Sequence, residues 1–163
     1  MEFFAWIEQT GFSTWMRESP SLFAFPGILA AHTVGLGLLA GLNAALDLRL
    51  LGVARSIPPA AFARFLPLMW IGLWMNALSG LALLLAYPTK ALTNPVFYLK
   101  LGLIATTVVV LRTILRRIGA AQAARGTTKM LAAASLVGWA AAITAGRLLA
   151  YTCTRLTVTS ICS

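Results

Sequence analysis

Acidic residues are nearly missing from this chain: four Asp and Glu stand against thirteen Lys and Arg, and Asp47 is the only acidic residue after Glu18. No cluster of buried carboxylates can form of the kind that ordinary proton-coupled transport uses, which counts against an ion-driven carrier. Histidine is scarcer still, with His32 alone, so a catalytic histidine pair is unavailable and a hydrolase is disfavoured. The two cysteines, Cys153 and Cys162, both fall in the last stretch of the chain. No glycine-rich loop has the spacing that cradles a nucleotide.

Apolar residues make up the difference: 60% of the 163 residues are hydrophobic and only 10% are charged. A bilayer core about 30 Å thick needs roughly 20 mainly apolar residues per spanning helix, and four such stretches are present, at about 21–45, 66–87, 95–115 and 129–151. Proline punctuates them. Pro26 and Pro95 suit first helical turns, where a missing N–H is tolerated, and the Pro58–Pro59 pair and Pro88 bracket the second span. Short connections make sequential neighbours antiparallel. The expected fold is all-α: an integral membrane antiparallel four-helix bundle, forming a single membrane domain over 1–163 with an outer tail at 152–163.

Residues 1–18 read as an interfacial amphipathic helix rather than a cleaved signal peptide, since the opening lacks a basic region and a small-residue cleavage pattern. Phe4, Ile7, Gly11 and Trp15 share one helical face, with Phe3, Phe12 and Met16 beside it. A lid over the outer mouth of the bundle is the second reading.

Cations set the expected orientation. The first connection carries Arg49, Arg55 and Arg64; the third and its flanks carry Arg112, Arg116, Arg117, Arg125 and Lys129. The second loop has Lys90 alone, and the segment before the first span has Arg17 against Glu2, Glu8 and Glu18. Short cytoplasmic loops are enriched in Lys and Arg, so both termini are expected on the outer side of a bacterial inner membrane. The net charge of +9 thereby reads as topology and contact with the lipid bilayer, not as a nucleic-acid surface.

Small residues recur every four positions: Gly37 with Gly41, and Ala134, Gly138, Ala142 and Gly146. Such stripes let helix backbones approach closely, within the chain, in a homo-oligomer, or against a planar cofactor. Trp70 and Trp74 share a face of the second span, Asn76 suits an interhelical hydrogen bond, and Arg112 suits a snorkelling anchor.

Ionisable groups inside spans are costly and mark function by default. His32 lies eleven residues into the first stretch, which at 1.5 Å per residue is about 16 Å deep. Lys100 and Arg147 approach from the outer half. An imidazole can hold a haem iron from a helix of a bundle. In that reading His32 is the metal ligand, the small-residue stripe faces the macrocycle, and Arg147 with Lys100 or Tyr151 neutralises propionates; Lys100 could instead be a second axial ligand. The plainer alternative is a structural histidine bonded to a neighbouring hydroxyl such as Ser79 or Thr106.

The segments 27–41 around His32, 47–52 (DLRLLG), 95–100 (PVFYLK) and 146–151 (GRLLAY) resemble an uncharacterised family of small bacterial membrane proteins. More distantly, the helix plan resembles the superfamily that joins the copper-resistance D membrane domain and the membrane-bound, haem-containing protoporphyrinogen oxidase. The resemblance implies haem b held through a first-helix histidine and a later-helix lysine at a Phe-x-x-Lys position, which His32 and Lys100 match. Other charged positions of the oxidase have no counterpart here, so it implies a haem b redox protein with a redox partner rather than that particular oxidation. Copper or small-solute handling is a second class, although Met69 and Met75 share no good helical face and Met16 and Met130 fall on opposite sides of the membrane. A cofactor-free accessory subunit of a membrane complex is the third. Cys153 and Cys162 fit either an outer-tail disulfide or two free thiols.

Overall fold

The computed structural model describes residues 6–122 and 125–151. Its elements are α1 (Gly11–Glu18), α2 (Phe25–Leu51), a 3₁₀ helix (Pro59–Phe65), α3 (Leu66–Ala86), the short α4 (Pro88–Leu92), α5 (Pro95–Gly119) and α6 (Gly126–Tyr151), with no strand among the described residues. The tail with Cys153 and Cys162, and Phe3 and Phe4, lie outside the described residues.

Local chemistry fixes the helix ends. Pro26 sits in the first turn of α2, and the helix stops at Gly52, whose φ of 111° is left-handed and suits glycine. Arg49 and Arg55 brace the turn that follows: Arg49 donates to the carbonyls of Ile57 and Arg55, and Arg55 to that of Gly52. Pro95 occupies the first turn of α5, capped by the Asn94 side chain, which accepts from the Val96 N–H at 3.0 Å.

The helices α2, α5 and α6, together with the 3₁₀ helix running into α3, are long and apolar enough to cross a membrane. In their most apolar windows only 17–28% of residues are buried inside the protein. Large apolar side chains in mid-helix point outward, among them Leu78 (63% exposed), Val109 (60%) and Val137 (70%). Water does not tolerate apolar surface this continuous, whereas lipid tails do. The chain is a multi-pass membrane protein.

Contacts show the antiparallel order. Along α2 and α3, Gly35 meets Gly72 and Asn76, while His32 meets Ser79 and Gly80. Along α5 and α6, Lys100 meets Gly146, Thr107 meets Gly138, and Arg117 donates to Thr127. The two hairpins join through α2 and α6, around a core that includes Leu39, Leu46, Leu50, Leu111, Trp139 and Ala142.

The closest helix approach is not at the expected glycine pair. A Cβ on Gly35 would lie 2.7 Å from the Asn76 nitrogen, and one on Gly72 would lie 2.9 Å from the Gly35 carbonyl oxygen. Around Gly37 and Gly41 there is nothing within 4 Å of such an atom. Two residues along a helix rotate a side chain by about 200°, so Gly37 cannot share the packed side of Gly35. On α6, Gly138, Ala142 and Gly146 do face inward, while Ala134 is exposed.

Helix α1 docks on the end of α3. Ser13 and Met16 are fully buried, and the Ser13 hydroxyl is bonded to the carbonyls of Leu85 (3.0 Å) and Ala86 (3.3 Å). Arg17 donates to the carbonyls of Ala86 (2.9 Å) and Glu8 (2.6 Å). Trp6, Phe12 and Trp15 remain exposed. The segment is therefore amphipathic in a specific sense: polar hooks and Met16 hold the bundle end, and aromatic rings face away from it.

Candidate functional site

His32 is the eighth residue of α2, so it lies about 10 Å from the start of that helix at 1.5 Å per residue. This is shallower than the mid-membrane depth expected from a span opening near residue 21. Residues 22–24 form a turn before α2 begins, and Pro26 fixes the first helical turn there.

The ring is held from one side. Its Nδ1 lies 3.1 Å from the Asn76 carbonyl oxygen and 3.1 Å from the Ser79 hydroxyl. A carbonyl can only accept, so Nδ1 is the protonated nitrogen; this tautomer is assigned from the hydrogen-bond network. Ser79 donates its own proton to the Met75 carbonyl at 2.6 Å. Asn76 then closes a reciprocal clamp, its side-chain amide donating to the His32 carbonyl at 2.9 Å. Gly80 lies against the ring, where a Cβ would come within 3.1 Å of Cε1.

With Nδ1 engaged, Nε2 is the accepting nitrogen; the Asn76 side-chain amide lies 3.4 Å from it, and on another side it faces Lys100. The Lys100 Nζ lies 3.5 Å away, at the outer limit of a hydrogen bond. Lys100 is five residues into α5 and rests on Gly146, where a Cβ would lie 3.4 Å from its Cε. Glycine at 80 and 146 thus leaves room for the imidazole and the lysine stem. Both side chains are half-buried.

Four helices contribute to this constellation: His32 from α2, Asn76, Ser79 and Gly80 from α3, Lys100 from α5 and Gly146 from α6. Arg147 follows Gly146 and is exposed. Tyr151 ends α6, and its side chain lies outside the described residues. Thr106 is exposed and bonds its own helix at Gly102, so Ser79 is the hydroxyl partner of His32. Among the described residues no three of His, Cys, Asp and Glu come together as a metal-binding group.

Away from this site, Arg112 places its guanidinium 5.1 Å from the Trp70 ring centre, while Trp74 is 64% exposed. A second polar cluster went unread in the sequence. Asn43, Asp47 and Ser135 are all fully buried. The Asn43 amide donates to Asp47 Oδ2 at 3.0 Å and to Ser135 Oγ at 2.7 Å. Its signal was available: Asn43 and Asp47 are four apart on one helix, and such residues share a face.

Comparison with protein-family models, curated proteins and solved structures finds no match to this chain.

Proposed function

We propose that this chain is a membrane-embedded haem b redox protein in which His32 would hold the iron. One observation carries the reading: the Nδ1–H of His32 is tied to the Asn76 carbonyl, which leaves Nε2 as an oriented donor beside a second nitrogen, Lys100 Nζ, at 3.5 Å. Histidines that bind metals are oriented in this way, with the distal N–H given to a carbonyl or carboxylate that fixes tautomer and ring plane. That orientation supports His32 as a ligand of haem iron, and the glycines at 80 and 146 support it by leaving room for the imidazole and for the lysine stem. Bound haem would supply one-electron chemistry.

The chain's own residues have separate tasks. His32 would hold the group, Asn76 and Ser79 orient the His32 ring, and Lys100 would either ligate the iron or neutralise a propionate. Arg147 and Tyr151 are proposed as propionate partners on the outer end of α6. The cation distribution supports outer termini in a bacterial inner membrane, with lipid around the helices and a redox partner at one surface.

The visible spectrum of the purified protein tests this. A Soret band that disappears in His32→Ala is the expected result. A colourless protein loaded stoichiometrically with copper would replace haem by metal handling. A protein without metal or pigment that co-purifies with a larger assembly would make it an accessory subunit. Reporter fusions at the two ends check the orientation.

A further inference from the structure

The Asn43–Asp47–Ser135 cluster lies in the opposite half of the bundle from His32. Asp47 is four residues from the end of α2 and fifteen beyond His32, about 22 Å along the helix. Three buried polar atoms here have no hydrogen-bond partner: Asn43 Oδ1, Asp47 Oδ1 and the Trp139 indole nitrogen. Trp139 is 2% exposed and one turn beyond Ser135 on α6, as Asn43 is one turn beyond Asp47 on α2. Unpaired buried polar atoms are rare and costly, and two of these three belong to the hydrogen-bonded Asn43–Asp47 pair, with Trp139 one turn along α6 from their partner Ser135.

Charge sharpens the question. Asp47 is fully buried and, among the described residues, in no ion pair. Around it α2 presents Asn43 and α6 presents Ser135; the same end of the core is otherwise filled by Leu46, Leu50, Met69 and Ile114. The cations of that end are committed elsewhere. Arg49 and Arg55 bond loop carbonyls, Arg64 lies over Phe65, Arg112 over Trp70, and Arg117 bonds Thr127. Arg116, Arg125 and Lys129 are exposed. An isolated buried carboxylate is strongly unfavourable unless something positive joins it.

We infer that Asn43, Asp47, Ser135 and Trp139 form a proton-binding site, in which Asp47 carries an exchangeable proton and one internal water links the three unpaired atoms. With the proton on Asp47 Oδ1, a water molecule can accept from that O–H and from the indole N–H and donate to Asn43 Oδ1, which pairs all three atoms while Asp47 Oδ2 keeps its bond from the Asn43 amide. A proton needs one oxygen only. A metal cation such as Na⁺ or Ca²⁺ would need several more oxygens than the cluster offers and would face the positive end of the indole N–H. Asp47 is five residues, about 7.5 Å, from Gly52 at the end of its helix.

The sequence makes the test direct, because Glu2, Glu8, Glu18 and Asp47 are its only acidic side chains. Infrared spectra of the haem-free full chain in dodecyl maltoside, a detergent without a carbonyl group, at about pH 7, where an ordinary aspartate (about 3.9) is ionised, should contain a protonated carboxylic-acid C=O band. That band should be lost in Asp47→Asn, whose amide keeps the shape of a protonated carboxyl. It should persist in the variant combining Glu2→Gln, Glu8→Gln and Glu18→Gln, where Asp47 is the only acidic side chain; this variant serves even if Asp47→Asn fails to fold. Carboxylate bands alone in the triple variant, or an acid band that survives Asp47→Asn, would overturn the assignment. So would thermal stabilisation of the wild-type chain by NaCl relative to choline chloride that vanishes in Asp47→Asn, which would make this a metal-cation site.

Discussion

Lys100 Nζ on α5 lies 3.5 Å from His32 Nε2 on α2, so the two helix hairpins of the bundle meet through a pair of nitrogens. The contact links residues 68 positions apart, and each is positioned by its own surroundings. Asn76 and Ser79 hold the ring, and Gly146 leaves room for the lysine stem. Cofactor binding at this point would tie the two hairpins together.

Removing Lys100 is therefore expected to matter more than removing Arg147. Lys100→Ala should reduce haem retention on the order of 10- to 100-fold, the range for groups adjoining a metal ligand. Arg147→Ala, which changes an exposed residue, should reduce it less. Haem-to-protein ratios after purification measure both. Full retention in the two variants would remove the propionate roles.

Asn76→Ala deletes the bond from the side-chain amide to the His32 carbonyl but keeps the main-chain carbonyl that accepts from Nδ1. It should cost about 0.6–1.7 kcal/mol, the range of interhelical hydrogen bonds in membranes, while leaving the position of the Soret maximum unchanged. Unfolding in mixed micelles reads the first quantity. A shifted Soret maximum would show that the amide itself tunes the site.

The crossing of α2 and α3 gives a sharp contrast between glycines. Gly35→Ala or Gly72→Ala places a methyl group within 3 Å of backbone and should destabilise by about 1–3 kcal/mol. Gly37→Ala and Gly41→Ala meet open space and should stay within about 0.5 kcal/mol. Thermal unfolding of the four variants separates them. Equal effects would mean that a partner chain covers the Gly37–Gly41 side.

Arg17 makes three hydrogen bonds, to Ser13 Oγ and the carbonyls of Ala86 and Glu8. Bonds from a charged donor are worth about 1.5–3 kcal/mol each when intact, so Arg17→Ala should release α1 without unfolding the spans. Limited proteolysis should then cut near residue 19 faster than in the wild type, with helix content of the bundle preserved.

Much of this site was legible in the sequence, and the limits are instructive. His32, Lys100 and Asn76 stood out because polar groups are rare within long apolar runs, and Ser79 was one of two hydroxyls considered for the histidine. Gly35 and Gly72 did not stand out, because glycine in a membrane helix carries no signal until its neighbour is known. Asn43 and Asp47 are legible as a pair four apart on one helix face, but their partner Ser135 is not, because 92 positions separate it from Asn43.

By itself the sequence determined that four long helices exist, roughly where they start and stop, and which ionisable groups they carry. Apolar length, proline and glycine act locally, so one strand of text is enough to read them. Which side of each helix turns inward was decided only by the tertiary structure. These helices are apolar almost all round, and lipid asks for no polar face, so no 3.6-residue pattern marks the interior. Close backbone approach at Gly35 and Gly72, together with a few interhelical hydrogen bonds, sets those rotations. They bring Lys100 to His32 at one end of the bundle and close Asn43, Asp47 and Ser135 into its core at the other.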